Sequence, residues 1–210
     1  MKIGIIGAGN VGGALGKAWA RAGHEVKFGV RDPSADKVKK LLKAATGSTA
    51  GTVAEAARHG EVVALTTPWG AASEDALGNA GDLGGKVLLD CTNPLKADLS
   101  GLEVGYSSSA AEQVAGWAPG ARVVKIFNTT GANNMENPDY DGQPVTMLYA
   151  GDDEAAKSVA AQLAREVGFE PVDAGPLANA RLLEPLAMLW IYLAYPGGQG
   201  REIAFRLLRR

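Results

Sequence analysis

A glycine-rich turn between an apolar run and a helical pattern constrains this chain more than any other feature. The run from Lys2 to Ile6 leads directly into the hexapeptide from Gly7 to Gly12, and helical periodicity continues from Val11 to Ala22. Such a turn is typical of dinucleotide-binding sheets, in which the first glycine makes the bend, Gly9 admits a pyrophosphate and Gly12 lets the helix pack closely. A turn used only for packing is the alternative. The spacing predicts a dinucleotide site that includes Gly7, Ala8, Gly9, Asn10 and Val11.

Short apolar runs alternate with segments of helical periodicity along all 210 residues. This alternation is typical of a parallel sheet covered on both faces, and right-handed crossovers favour a doubly wound α/β fold of the Rossmann type. We expect a mostly parallel sheet in one domain spanning residues 1–210, with an apolar C-terminal helical extension over about 177–210. The predicted strands are Lys2–Ile6, Glu25–Gly29, Val62–Thr66, Lys86–Cys91, Arg122–Phe127, Thr146–Ala150 and Glu170–Asp173. The predicted helices are Val11–Ala22, Ser34–Ala45, Ser73–Asn79, Ala110–Trp117, Glu154–Val167 and Ala178–Leu193.

Charge and composition argue against several classes of protein. Lys and Arg number 21 against 23 Asp and Glu, so a formal charge of −2 offers no basic surface to nucleic acid or to an acidic membrane. No apolar stretch reaches the ~18 residues of a membrane span, and the apolar run after Lys2 is too short for a signal peptide. One cysteine forms no internal disulfide, and two histidines do not build the common zinc sites. We expect a cytoplasmic protein with no metal, no nucleic-acid partner and no membrane anchor.

The end of the second predicted strand indicates which dinucleotide binds. NAD enzymes usually place an acidic residue there for the ribose hydroxyls, whereas this chain has Val30 followed by Arg31. A guanidinium binds a 2′-phosphate through two parallel hydrogen bonds, so the pattern favours NADP. Asp32 keeps the NAD interpretation open, although before Pro33 it is typical of a helix start. Further candidates for the 2′-phosphate are Lys37, which alternatively belongs to a solvated helix face, and Ser48.

Small polar side chains and prolines follow three of the predicted strands. In an open parallel sheet the ligand lies across the carboxyl ends of the strands, so these residues are expected near the nicotinamide. Prolines and threonines also simply end strands, which is the alternative. The candidates for this part of the cofactor site are Thr66, Thr67, Pro68, Asn93, Pro94 and Asn128.

The sequence contains no evident set of residues for acid–base or nucleophilic catalysis. We expect His24 and His59 to be structural, and Cys91 to be a small buried hydrophobe. Trp69 either stacks on a ligand or packs beneath the next helix. Hydride transfer between nicotinamide and a flat ring needs stacking and exclusion of water more than a protonating side chain, so we assign no catalytic residue.

Six segments of the chain carry a resemblance to a known family. They are Gly7–Gly12 with Gly23–Val26, Thr67–Trp69, Gly151–Asp153, Asp173–Leu177 and Ala180–Glu184. Through them almost the whole chain resembles the F420-dependent NADP oxidoreductases, which also occur as NADPH-binding domains of membrane ferrireductases. The resemblance implies direct hydride transfer between NADPH and a flat acceptor, the deazaflavin F420 in the namesake enzymes. This chain departs from the archaeal members at Val30, where they have Ser before the phosphate-binding Arg, and at Asn128, where they have His.

The stretch Leu182–Tyr195 is apolar on nearly every face. Such a helix needs cover all round, so we expect a homodimer; a central core helix is the alternative. Within this region Arg181 and Glu184 have the spacing of an i, i+3 pair. The following segment, Pro196–Gly200, either closes over the acceptor or links to solvated arginines at the C-terminus.

The predicted function is that of an oxidoreductase that transfers a hydride between NADP(H) and a flat redox acceptor such as F420 or a flavin. Two alternatives stay open. One is a dehydrogenase of a small C=O or C=N substrate, and the other is a non-catalytic NADP(H)-binding redox sensor.

Overall fold

The computed structural model describes residues 1–210 and is built around one eight-stranded sheet, with a separate two-stranded hairpin. The sheet strands are β1 (Lys2–Ile6), β2 (Glu25–Gly29), β3 (Thr49–Gly51), β4 (Val62–Leu65), β5 (Val87–Asp90), β6 (Arg122–Lys125), β9 (Thr146–Gly151) and β10 (Glu170–Asp173). The hairpin pairs β7 (Asp139–Tyr140) with β8 (Gln143–Pro144). The helices are α1 (Asn10–Arg21), α2 (Asp36–Ala44), α3 (Val53–His59), α4 (Ala71–Gly78), α5 (Ala110–Trp117), α6 (Ala132–Glu136), α7 (Glu154–Val167) and α8 (Ala180–Ala194), the last preceded by a 3₁₀ turn at Leu177–Asn179.

The strand order is β10-β9-β6-β5-β4-β1-β2-β3. Strands β1 to β6 are parallel to one another, whereas β9 runs antiparallel to β6 and β10 runs parallel to β9. The chain leaves β1 toward β2 on one side and enters β4 on the other, so the gap between β1 and β4 is a topological switch point of the kind that binds ligands. The predicted Rossmann-type, mostly parallel fold is confirmed.

Both faces of the sheet are buried. In β1, Ile5 packs with Trp19 and Phe28 on one face, and Ile6 packs with Leu65 and the helices of the other face. Burial on both faces explains why the central strands are continuous apolar runs instead of alternating ones.

The sequence located seven of the ten strands and six of the eight helices. The bounds of β1, β2, β10, α5 and α7 agree with the prediction residue for residue, and β4 to β6 end one or two residues early. The three-residue β3 and the hairpin are too short to have a detectable period, and α3 and α6 were also missed. α3 did carry a signal: Thr52 and Glu55 form a capping box, in which each side chain accepts from the other residue's backbone amide.

One face of α8 is covered by its own chain and the other is not. Leu183 and Trp190 are buried, whereas Leu182 is 67% exposed, Leu189 48% and Tyr192 55%. None of the helices combines the length and the apolar character that crossing a membrane would require.

Residues 200–208, called here the C-terminal strap, return from α8 along α6 and β9. The carbonyl of Ile203 accepts from Trp190 Nε1 (2.7 Å), and the carbonyl of Phe205 accepts from the Thr146 amide (3.1 Å). The strap therefore follows a defined path and is not a free linker.

Candidate functional site

The loop between β1 and α1 forms a backbone cradle at the switch point. Gly7 has a φ of +112°, which favours glycine, and a Cβ there would lie 2.8 Å from Thr66 Oγ1. A Cβ at Gly12 would lie 2.5 Å from the Gly7 carbonyl oxygen, so glycine is needed for α1 to approach the loop this closely. A Cβ at Gly9 would meet no atom within 4 Å. Gly7 and Gly12 thus build the turn, whereas the space beside Gly9 is open.

The first turn of α1 presents unpaired amides to that space. The helix begins at Asn10, and its N-cap residue, Gly9, provides no side-chain cap. Asn10 is exposed, and Ala8 and Val11 beside it are half buried. Free amides and the helix dipole together favour an anion such as a pyrophosphate at this point.

The end of β2 carries an uncommitted cation. Val30 is half buried and its amide donates to the Gly51 carbonyl (3.0 Å), whereas Arg31 is exposed and forms no ion pair. Asp32 Oδ1 accepts from the Ser34 hydroxyl (2.6 Å) and amide (2.9 Å), and these bonds lower the pKa of Asp32 below its usual value. The expectation that Asp32 begins the next helix is wrong, because α2 begins at Asp36. One oxygen of the Asp32 carboxylate is thus bonded within its own turn, whereas the guanidinium of Arg31 is exposed and without an ion pair.

The two further candidates for the 2′-phosphate differ in availability. Lys37 is exposed in the first turn of α2 and forms no ion pair. Ser48 is half buried, and its hydroxyl donates to the Ala45 carbonyl at 2.6 Å. The hydroxyl proton of Ser48 is therefore already used by the chain.

Most candidate groups after β4 and β5 are engaged within the protein. Thr66 Oγ1 donates to the last carbonyl of β1 at 3.0 Å, and Thr67 Oγ1 lies 2.9 Å from Ser73 Oγ. Ser73 Oγ in turn donates to the Pro68 carbonyl at 2.9 Å, and Pro94 is buried. These bonds hold the loops beside the switch point in place.

Two asparagines at the ends of β5 and β6 bind each other. Asn128 Nδ2 donates to Asn93 Oδ1 (3.0 Å) and to the Leu183 carbonyl (3.1 Å), and Asn93 Nδ2 donates to the Asn128 carbonyl (2.9 Å). Asn128 Oδ1 is buried and has no partner. Just before it, Phe127 has a φ of +61°, a strained conformation of a kind that clusters at functional sites. A buried acceptor without a donor is costly, so Asn128 Oδ1 is a candidate ligand atom.

A fully buried lysine joins two carboxylates beside these asparagines. Lys125 Nζ lies 2.9 Å from Asp90 Oδ2 and 2.9 Å from Glu184 Oε1, and it donates to the Thr92 carbonyl at 2.6 Å. The Ala110 amide, at the start of α5, donates to Glu184 Oε2 at 2.9 Å. Burial alone lowers the pKa of Lys125, but the charges of Asp90 and Glu184 raise it above its usual value. This triad ties β5 and β6 to α5 and α8 where the strands end.

The predicted pair of Arg181 and Glu184 is wrong. Glu184 lies on the buried face of α8 with Lys125, while Arg181 Nε donates to Glu112 Oε2 of α5 at 2.9 Å. The hydrogen bond from Arg181 holds the pKa of Glu112 below its usual value. Helical spacing alone did not decide the pairing because each side chain has a stronger tertiary partner.

Four other side chains considered from the sequence have structural surroundings. His24 Nε2 lies 2.6 Å from Glu166 Oε2, and His59 Nε2 lies 3.0 Å from a backbone carbonyl. Burial raises the pKa of the Cys91 thiol, which disfavours the reactive thiolate. Trp69 stacks on a tryptophan of α5 with ring centroids 5.2 Å apart. Trp69 therefore packs against α5, and its stacking on a ligand stays a prediction.

Sequence reasoning missed the Lys125 triad. One signal was present: Lys125 sits in the apolar run of a strand buried on both faces, where an uncompensated charge is not tolerated. Its partners come from distant parts of the chain, so their identity required the structure.

Comparison with known proteins gives this site its context. Residues 2–94 match the family model described as NADP oxidoreductase, coenzyme F420-dependent. The F420-dependent NADP reductase of Methanothermobacter marburgensis is 36% identical, over 92% of this chain and 92% of its own length. The chain belongs to this reductase family. The resemblance inferred from the sequence motifs is confirmed.

Two further relatives differ in how much of their length is matched. A solved structure from Arthrobacter sp. FB24, provisionally named as an F420-dependent NADP reductase, has a TM-score of 0.90 and 33% identity, with full coverage of both chains. Metalloreductase STEAP3 of Rattus norvegicus is 30% identical over 90% of this chain but only 37% of its own length. This chain thus matches the Arthrobacter structure along its whole length, whereas it matches only one part of the longer metalloreductase.

Family and geometry agree on the cofactor. The chain is an NADP-dependent oxidoreductase with NADP(H) as its cofactor. The residues present fit that group, because the space beside Gly9 admits a pyrophosphate and Arg31 is free at the end of β2.

Proposed function

We propose that this protein transfers a hydride between NADP(H) and coenzyme F420. Bound NADPH supplies the hydride, and the protein binds and orients the two cofactors and excludes water between them. The observation that carries the proposal is the open backbone cradle at Gly9, in a chain that matches an F420-dependent NADP reductase over 92% of both lengths. The proposed cofactor ligands are Gly7, Ala8, Gly9, Asn10, Val11, Val30, Arg31, Lys37, Ser48, Thr66, Thr67, Pro68, Asn93, Pro94 and Asn128.

Asn128 has a specific part in this proposal. Its buried Oδ1 has no donor in the protein, and the nicotinamide carboxamide carries an N–H that such an acceptor binds. An asparagine in place of the archaeal histidine provides the acceptor without a titrating group.

Turnover tests the proposed function. We expect the purified protein to oxidise NADPH with F420 as acceptor, followed by the loss of absorbance of both species, and to do so faster than with FMN, FAD, quinones or ferric chelates. Binding of NADPH without turnover of any acceptor would favour the redox sensor. Turnover only with a small carbonyl or imine substrate would favour the dehydrogenase.

Replacing Arg31 with alanine is expected to weaken the binding of NADPH and to leave the binding of NADH nearly unchanged. The bond to the 2′-phosphate is charge-assisted and worth about 1.5 to 3 kcal/mol, which is about 10- to 100-fold in affinity. NADH has no 2′-phosphate, so its Kd should be nearly unchanged; calorimetry with both dinucleotides measures the ratio. An equal fall in both affinities would contradict the assignment, and no fall in either would move the phosphate contact to Lys37.

We further propose that the protein is a homodimer joined through the exposed face of α8. Leu182, Leu189 and Tyr192 lie on this face and are about half exposed or more, which is unusual for large apolar side chains clustered on one helix. A second copy of α8 would cover them in an isologous contact.

The variant Leu189→Glu is expected to be monomeric, because it places a charge in the proposed apolar interface. Light scattering at micromolar concentration should find twice the mass of one chain for the wild type and one chain for the variant. Leu208→Glu is the matched control, since Leu208 is 76% exposed but lies in the C-terminal strap. A monomeric wild type would contradict the dimer.

The remaining parts of the proposal concern organisation and location. We propose that residues 1–210 act as one NADP-binding domain, in which residues 177–210 form the helical extension that provides the interface. NADP(H) is an intracellular metabolite, which supports a cytoplasmic location. Detection of the protein in the membrane or secreted fraction of its host would contradict that location.

A further inference from the structure

The C-terminal strap is held by side chains of α6 and α8 that donate to its backbone carbonyls. Asn134, wholly buried in α6, donates through Nδ2 to the Ile203 carbonyl at 2.8 Å, and the buried Trp190 donates to the same oxygen. Asn133 Nδ2 donates to the Arg201 carbonyl at 2.9 Å. Buried donors are costly unless paired, so these contacts make the strap part of the folded structure.

This path brings Arg201 next to the glycine loop. A cleft of about 250 Å³ is lined by Asn10, Ala132, Asn133, Glu136 and Arg201. Asn10 is the first residue of α1 and follows Gly9, where the backbone is open. A residue close to the C-terminus and the start of the dinucleotide cradle therefore share one cleft.

The charge of Arg201 is not used within the protein. Its guanidinium forms no ion pair, and its one hydrogen bond is the 3.4 Å bond that it donates to Asn133 Oδ1. Glu136, the acid that lines the cleft, is ion-paired with Lys17. An uncommitted guanidinium and the amino end of a helix both favour an anion, and a guanidinium matches phosphate oxygens in a bidentate way.

We propose that Arg201 binds the pyrophosphate of NADP(H). The inference rests on the placement of the dinucleotide in the proposed function. The 2′-phosphate is excluded as the main partner because its proposed ligand, Arg31, lies at the end of β2, whereas Arg201 shares its cleft with the start of α1. The cofactor site is then completed by a segment that returns from the far end of the chain.

The pyrophosphate is common to NADPH and NADH, and this sets the test. Arg201→Gln should weaken both dinucleotides by the same factor, about 3- to 10-fold for an exposed charge-assisted contact. Calorimetry at low salt measures, for each dinucleotide, the ratio of the variant Kd to the wild-type Kd. Added salt should reduce both ratios. Arg201→Lys, which keeps the charge, should recover part of the affinity.

Arg206→Gln is the matched control. Arg206 lies in the same strap and donates to Gln143 Oε1 at 3.2 Å, away from the cleft, so its loss should leave both affinities unchanged. The melting temperature of ligand-free Arg201→Gln should equal that of the wild type. If Arg201→Gln lowers the melting temperature, and Arg201→Lys restores neither the melting temperature nor the dinucleotide affinity, Arg201 only stabilises the strap and the inference is overturned.

Four other outcomes also overturn it. Unchanged affinity of Arg201→Gln for both dinucleotides would show that Arg201 does not contact the pyrophosphate. A loss of affinity confined to NADPH would assign Arg201 to the 2′-phosphate. A raised KM for F420 with unchanged dinucleotide affinities assigns Arg201 to the acceptor. A wild-type protein that binds neither dinucleotide overturns the proposed function, and this inference with it.

Discussion

Replacing Gly9 with valine is expected to abolish NADPH binding while the protein stays folded. The backbone at Gly9 has φ −82° and ψ −162°, an extended conformation that valine adopts readily, and a Cβ there meets no protein atom within 4 Å. The new side chain would occupy the space in which the pyrophosphate approaches the backbone. Calorimetry should find at least about a 100-fold loss in affinity, equivalent to about 2.7 kcal/mol or more.

Stability measurements separate this effect from misfolding. Valine is a poorer N-cap residue than glycine, so a decrease of about 1 kcal/mol in the free energy of unfolding is expected even if the variant folds correctly. Gly116→Val is the matched control, because a Cβ at Gly116 also meets no atom within 4 Å but the residue lies near the end of α5. A folded Gly9→Val variant with wild-type affinity would refute the cradle as the phosphate site.

Replacing Lys125 with methionine is expected to destabilise the protein by about 3 to 5 kcal/mol, since it leaves two buried carboxylates without a cation. One of them must then take up a proton, so its pKa in the folded variant lies above that in the unfolded chain. Stability that depends on such a proton is present at low pH and is lost as the pH rises through the raised pKa. Urea unfolding should therefore find a gap between variant and wild type that widens with increasing pH.

Lys157→Met is the matched control for Lys125→Met. Lys157 also contacts two carboxylates, but Asp173 is 41% exposed and Glu154 84%, so water solvates them once the lysine is gone. We expect Lys157→Met to lower the free energy of unfolding by much less than Lys125→Met does. Adding Glu184→Gln to Lys125→Met should recover part of the lost stability, and a double variant less stable than Lys125→Met would contradict the triad as its cause.

The glycine loop and the end of β2, which we propose as ligands of NADP(H), can be inferred from the sequence because both are local features of the chain. The glycine loop, Val30 and Arg31 all lie within the first βαβ unit, where spacing in the chain translates directly into spacing in space. The same holds for β1, which is a short apolar run, and for α7, whose helical period extends over 14 residues. Asp32 was placed wrongly because a turn bonded through Ser34 resembles the start of a helix.

The part of the site at the ends of β5 and β6 depends on contacts that no local pattern encodes. Lys125, Asp90 and Glu184 meet only after the sheet and α8 have formed, and the mutual binding of Asn93 and Asn128 likewise joins two strand ends. The reversed direction of β9 and β10 escaped prediction for a related reason, since an apolar strand has the same period in either direction. No binding role for Arg201 is predicted from the sequence, because the path of the strap depends on tertiary hydrogen bonds.

The anchoring of the strap has an evolutionary consequence. The strap is anchored through its main-chain carbonyls, which accept hydrogen bonds from Asn133, Asn134 and Trp190. Every amino acid has such a carbonyl, so these bonds do not depend on the side chains of the strap. Mutations in the strap can thus alter the chemistry presented to the cleft without redirecting the backbone. Residue 201 is a position at which natural drift or laboratory selection could retune dinucleotide affinity at little cost to folding.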